Sequence, residues 1–398
     1  MVVPAVESPR GPWLLGSVPD LLFGCGIAWM LVFALRSVAG AQVASWVSAA
    51  PLLILFSIPH YGATLIQAYE SPEIRRKHVV ISVYTSIFLS VAFAACLYST
   101  LLGSVVLTIY LSWSPWHYSG QNYGIFLTLL GRRNIRPDER LKKWIHGSFV
   151  FSFVLTFLSL HGAAAAYAPV TYAGTVYQLL SIDVPYAIAT VVVTIASAGY
   201  VLCLAQTFLG LKRHGSLLSM WPCFLILALQ AMWFAVPVVI RQLGDQYGLT
   251  DSTGLYSAYG FQWIAAAHAV QYLWFCTYYT IRSTGERSIL TYLGKCYLGG
   301  AAIWILPGVL FGPSLLGRIS FDSGLALMVA AFVNLHHFVL DGAIWKLKDS
   351  GVSRVLFRAE ASNEMTTPAE EDSTSRRRFR WGLAVFGGIA IACTALNF

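Results

Sequence analysis

Charge is scarce in this chain. Only 11% of its 398 residues are Asp, Glu, Lys or Arg, and the 18 acids are outnumbered by 26 Lys and Arg. With 57% hydrophobic residues and a mean hydropathy of +0.64, that shortage excludes an ordinary soluble domain of this length. The apolar runs also lack the roughly ten-residue in-out alternation of outer-membrane strands, which excludes a β-barrel. Nor is there a CxxC pair or a regular extracellular cysteine spacing. Cys25, Cys96, Cys203, Cys223, Cys276, Cys296 and Cys393 all fall in or beside apolar runs and read as small buried hydrophobes. The stretch from Met1 to Trp13 has no basic segment followed by an apolar core and cleavage site, so no removed signal peptide is expected.

What remains is an all-α, polytopic membrane helix bundle. A bilayer core about 30 Å thick needs about 20 apolar residues per helix. Runs of that kind give about 11 transmembrane helices, at 20–39, 43–69, 79–99, 101–130, 147–167, 186–210, 217–240, 256–281, 289–311, 324–346 and 381–397. Basic residues gather in alternate loops: Arg75 to Lys77, Arg132 to Lys143, Lys212 with Arg213, Arg282 with Arg287, and Lys348 to Arg380. The positive-inside bias then predicts a cytoplasmic N-terminus and a C-terminus on the other side. The net charge of +8 reads as this topology signal plus attraction to anionic lipid headgroups, with no call for nucleic acid. Residues 1–347 read as a membrane-embedded catalytic bundle, 348–380 as a flexible cytoplasmic loop rich in Ser, Glu, Thr and Arg, and 381–398 as a final membrane helix. A multi-pass protein of the bacterial inner membrane is expected.

Polarity inside the runs is rare enough to be informative. His60, His117, His268 and the adjacent pair His336 and His337 lie within the second, fourth, eighth and tenth runs. At about 1.5 Å per residue they sit roughly 14 to 22 Å from the first cytoplasmic polar markers, Glu70, Arg132, Arg282 and Lys346. One lone histidine in a membrane helix usually bonds to a neighbouring helix. Several at one depth, each costly in hydrocarbon, are expected to converge on the bundle interior. His78, His146, His161 and His214 read as interfacial.

Neutral imidazole is a common metal ligand, and the neighbours suit one. Gln121 lies four after His117, Gln271 three after His268, and Asp341, the one acid well inside a run, four after His337. Each shares a helix face with its histidine. Metal-bound histidines generally donate their other N–H to a carboxylate or carbonyl, which makes Asp341 a candidate to orient or neutralise the site. Tyr118 and Tyr272 join Asp341, Gln121 and Gln271 as candidate catalytic residues, while Trp116, Trp263 and Trp274 pack or line an apolar tunnel. His336 and His337 project about 100° apart. His337, in phase with Asn334 and Asp341, is favoured as the ligand, and both stay candidates. The sparse carboxylates disfavour Mg or Ca and Glu-rich di-iron centres. Imidazole-rich sites suit Fe, Cu or Zn. Pro59 and Pro115, each just before one of these histidines, are expected to bend their helices and open space there.

Three stretches, "PHYG" at Pro59–Gly62, "WHYSG" at Trp116–Gly120 and "AAHAVQYL" at Ala266–Leu273, carry a family likeness. On these the chain resembles, distantly, the bacterial membrane-embedded β-carotene-cleaving dioxygenases that form retinal. The resemblance implies an all-helical fold in which histidines from separate spans bind one non-haem iron. It implies that role for His60, His117 and His268, with His336 or His337 completing the set. Desaturase-type HxxxH and HxxHH boxes do not occur.

The expected function is that of a histidine-ligated metalloenzyme, a non-haem iron oxygenase with Cu or Zn as alternative metals. Its substrates would be O2 and an apolar lipid or isoprenoid of carotenoid type. Two other readings stay open: a proton- or metal-ion-coupled transporter using the His/Asp cluster, and a haem-binding electron carrier with two histidines as axial ligands.

Overall fold

The computed structural model describes residues 11–39, 53–70, 75–76, 78–162, 169–239, 261–284, 288–311 and 323–345, with 352, 355–356, 381 and 384–385 beyond them. Most of the expected 348–380 loop and of the last run therefore lies outside the described residues, as does the first part of the second run, 43–52.

Among the described residues the chain is mostly helical. The helices are α1 Ile27–Ala39, α2 Ile58–Tyr69, α3 Thr85–Leu97, α4 Thr100–Gly131, α5 Glu139–His161, α6 Tyr186–Lys212, α7 Trp221–Gln230, α8 Phe261–Thr284, α9 Ile289–Phe311 and α10 Ser323–Ile344. Among the described residues six segments are long and apolar enough to cross a membrane: Val80–Leu97, Glu139–His161, Tyr186–Lys212, Leu217–Val239, Ile289–Leu306 and Gly324–Ile344. The all-α expectation needs one addition. The loop between α5 and α6 holds an antiparallel hairpin, β1 Val170–Tyr172 and β2 Thr175–Tyr177. Ala173 and Gly174 both take positive φ there, as a two-residue turn matched to strand twist requires. Tyr177 Oη donates to the Leu97 carbonyl (2.6 Å), which fastens the hairpin to the end of α3.

Local chemistry sets several helix ends. Asp138 caps α5 by accepting from the Leu141 amide (2.7 Å), so that helix starts well before the 147 expected from hydropathy. Pro59 falls in the first turn of α2, after a π-helical turn at Leu53–Ser57. The proline, which lacks a backbone donor, thus sits where the chain passes from π to α hydrogen bonding, just before His60. Pro115 does lie inside α4. Ser114 next to it donates to the Tyr110 carbonyl (2.6 Å), in the part of the helix where proline cannot contribute a backbone donor.

Packing is closest where glycine allows it. A Cβ on Gly62 would collide with the Cys296 carbonyl oxygen, and one on Gly300 with the Ile58 carbonyl oxygen. Helices α2 and α9 therefore cross backbone to backbone, the small-residue contact that membrane helices use for lack of a hydrophobic drive between them. The centre belongs to α10, which packs on α2, α3, α4, α9 and β1. This arrangement brings residues of α2, α4, α8 and α10 to one place.

Candidate metal centre

Each of four helices supplies one imidazole: His60 from α2, His117 from α4, His268 from α8 and His337 from α10. The ring centroids of His60 and His337 are 4.2 Å apart, His117 and His337 4.8 Å, His117 and His268 4.9 Å, and His60 and His268 5.1 Å. His117 Nε2 lies 3.1 Å from His337 Nε2. Two nitrogens bound to one ion at about 2.1 Å, at angles between square and tetrahedral, are separated by about 3.0 to 3.4 Å. Ligand atoms of His60, His268 and His337 lie within 4.8 Å of one another, and so do those of His117, His337 and Asp341.

The rings are buried: His60 and His268 are 2% exposed and His337 1%. For His60 and His268 neither ring nitrogen has a hydrogen-bond partner among the described residues. Buried polar atoms are nearly always paired, because leaving one bare costs about 1–3 kcal/mol. An ion between the rings would satisfy at once what no protein group does. The donor set fits a borderline transition metal, being nitrogen-rich with a single carboxylate at hand.

His337 is oriented from behind. Its Nδ1 lies 2.7 Å from Thr64 Oγ1, which donates to Tyr272 Oη (2.9 Å), which donates to Asp341 Oδ1 (2.5 Å); Trp345 Nε1 also donates to Tyr272 Oη (3.1 Å). Thr64 spends its one proton on Tyr272, so Nδ1 of His337 must carry a hydrogen, and Nε2 is left with its lone pair toward His117. Such outer partners fix the tautomer of metal-bound histidines. Thr64, not Asp341, holds His337 from behind, while Asp341 turns Oδ2 toward the cluster, 3.6 Å from His337 Nε2 and 3.8 Å from His117 Nε2.

The other expected site residues separate. Tyr118 lays its ring against His268 with centroids 4.3 Å apart. Gln271 points away from the histidines: it donates to the Gly24 carbonyl (2.9 Å) and accepts from Gln121 Nε2 (3.4 Å), which ties α8 to the N-terminal segment. Gln121 also reaches the His268 carbonyl (3.3 Å), and its Oε1 has no partner among the described residues. His336 is not in the cluster. It turns to α3, where its Nε2 lies 2.7 Å from Ser86 Oγ. The ring rotation of about 100° between successive helical residues sends the two neighbours to opposite partners. His161, expected at the interface, is 2% exposed and bonded to Ser112 (2.9 Å). Trp274 Nε1 donates to Asp20 Oδ1 (2.9 Å).

A cavity of about 320 Å³ opens beside the cluster. His117, Gln121, Tyr272 and Asp341 supply its polar wall, and Trp113, Trp116, Phe275, Phe338 and Trp345 its aromatic one. Apolar walls with a few converging polar groups are the usual form of a small-molecule site.

Sequence reading missed Thr64 and Trp345. Thr64 was within reach, four residues after His60 and so on the same face. It also missed Asp20, wholly buried and bonded to the amides of Leu14 (2.5 Å) and Leu15 (3.0 Å) as well as to Trp274. Set beside protein-family models, curated proteins and solved structures, the chain matches none.

Proposed function

We propose that the chain is a multi-pass enzyme of the bacterial inner membrane that holds one non-haem iron among His60, His117, His268 and His337. Its reaction is the oxidation or oxidative cleavage of an apolar isoprenoid or carotenoid-like lipid. One observation carries this reading: four imidazoles from four helices converge in the apolar interior, and both nitrogens of His60 and His268 lack any protein partner among the described residues. The distant likeness to retinal-forming dioxygenases supports iron over Cu or Zn.

The chemistry such an ion supplies is activation of dioxygen. The chain's own groups do the rest. Trp113, Trp116 and Phe338 line the cavity with apolar surface that suits a polyene and keeps water from the reacting atoms. Tyr272 holds a proton at Oη between Thr64 and Asp341, and Asp341 Oδ2 stands where a proton released near His117 would be taken up. A porphyrin fits poorly. Its axial nitrogens stand about 4 Å apart on opposite faces of the macrocycle, whereas His117 and His337 present theirs 3.1 Å apart with two further rings alongside.

The test is oxygen uptake by the purified protein loaded separately with Fe, Cu and Zn, with a long polyene supplied. Uptake matched by loss of the polyene absorbance, in the iron form alone, is the expected result. Metal-loaded protein that consumes no oxygen, and instead moves ions into liposomes, would replace the enzyme with a transporter.

A further inference from the structure

A second cavity, of about 340 Å³, lies between α3, α9 and α10. His336 lines this second cavity, while its neighbour His337 joins the cluster. The walls are Phe93 from α3, Ile303 and Leu306 from α9, and Val329 and Phe332 from α10. At its polar end stand Ser86, Ser90 and His336. Ser90 is exposed, and beside it on α3 Ile87, Phe88 and Val91 are 57%, 68% and 67% exposed. Those apolar side chains mark a lipid-facing surface, so a ligand would enter from the bilayer.

The hydrogen-bond arithmetic at the polar end selects the ligand. Ser86 Oγ lies 2.6 Å from the Ser82 carbonyl, 2.7 Å from Tyr69 Oη and 2.7 Å from His336 Nε2, while Tyr69 Oη donates to the same Ser82 carbonyl. His336 Nδ1 has no partner among the described residues, and the residue is 8% exposed and lines the cavity. A hydroxyl serves that nitrogen in either tautomer, since it can donate or accept. We propose that this cavity is a second ligand site, one that takes a long-chain alcohol, of the isoprenoid class on the strength of the function proposed above, whose terminal hydroxyl bonds to His336 Nδ1 while its hydrocarbon fills the apolar walls. A hydrocarbon cannot make that bond.

The experiment uses the full chain in nanodiscs and measures equilibrium binding of radiolabelled geranylgeraniol, with the matching hydrocarbon and aldehyde as competitors. Saturable binding is expected, with the alcohol about two- to tenfold tighter than the hydrocarbon, the range set by one neutral hydrogen bond. His336→Ala should abolish that preference. His336→Asn, whose amide stands on Cγ as Nδ1 does, should restore part of it. Ala302→Phe fills the cavity from α9 and should weaken alcohol and hydrocarbon together. Chelator-stripped protein should bind the alcohol as well as metal-loaded protein does, which keeps this site's failure distinct from failure of the metal centre. Absence of saturable binding, equal affinity for alcohol and hydrocarbon, preference for the aldehyde, or binding that survives both His336→Ala and Ala302→Phe would each overturn the assignment.

Discussion

Helices α6 and α10 invert the rule that governs soluble proteins. The membrane-length stretch of α6 is the more apolar of the two, yet only 22% of it is buried, against 78% for α10. Along α6, Val191, Ile195 and Val201 are 57%, 64% and 63% exposed, whereas α10 holds Asn334, His336, His337 and Asp341 all at 8% or less. In water this would be an inside-out molecule. In a bilayer the apolar surface belongs outside, and polar groups, costly against lipid, are driven to the centre where other helices can pair them. Helices α4 and α8, 32 and 24 residues long, follow α10: polar residues keep both from the apolarity of a simple span, and both carry cluster histidines. Buried polar side chains, and not low hydropathy alone, mark the histidine cluster, since the membrane-length stretches of α5 and α9 are less apolar than that of α10 and supply no residue to it.

The comparison can be broken at several points. The most severe change is at the α2–α9 crossing beside α10. Gly62→Leu would force a side chain into the Cys296 carbonyl, and the expected outcome is loss of folded, monodisperse protein by size-exclusion chromatography. Next comes the cluster itself. His268→Ala should weaken metal binding by more than about 100-fold, beyond the 10- to 100-fold typical of outer-shell changes, while circular dichroism stays unchanged. Thr64→Val should keep the fold and lower metal affinity by about 10- to 100-fold, because His337 loses the group that fixes its tautomer; competition with a chromophoric chelator measures it. The smallest effect belongs to α6. Ile195→Leu on the lipid face should shift thermal stability by less than about 0.5 kcal/mol, and a large loss there would mean that α6 is not a peripheral helix.

The periodicity of the sequence made much of this legible, but in one direction only. Hydropathy located α4, α6, α9 and α10 closely, since a membrane helix needs an unbroken apolar run and little else. It placed the start of α5 late, because the charged first turn, Glu139 to Lys143, is helical through the Asp138 cap and not through its apolarity. The common depth of His60, His117, His268 and His337 was readable from distance along each helix to the first charge. Rotation about the helix axis was not. Phase with Asn334 and Asp341 favoured His337 over His336 along one helix, and His337 is the one that joins the cluster, but phase between helices was hidden, which is why Gln271 was expected beside a histidine and instead reaches the Gly24 carbonyl. Relations across helices, such as Thr64 with His337 or Asp20 with Trp274, depend on packing that no single run encodes.

Adjacent histidines that face opposite ways give the most direct test of the metal centre. Metal content per chain is to be measured by elemental analysis on gently purified wild-type protein, His336→Ala and His337→Ala. One transition-metal ion is expected in the wild type and in His336→Ala, with almost none in His337→Ala. A wild type without transition metal, or a His337→Ala protein that keeps it, would contradict the account.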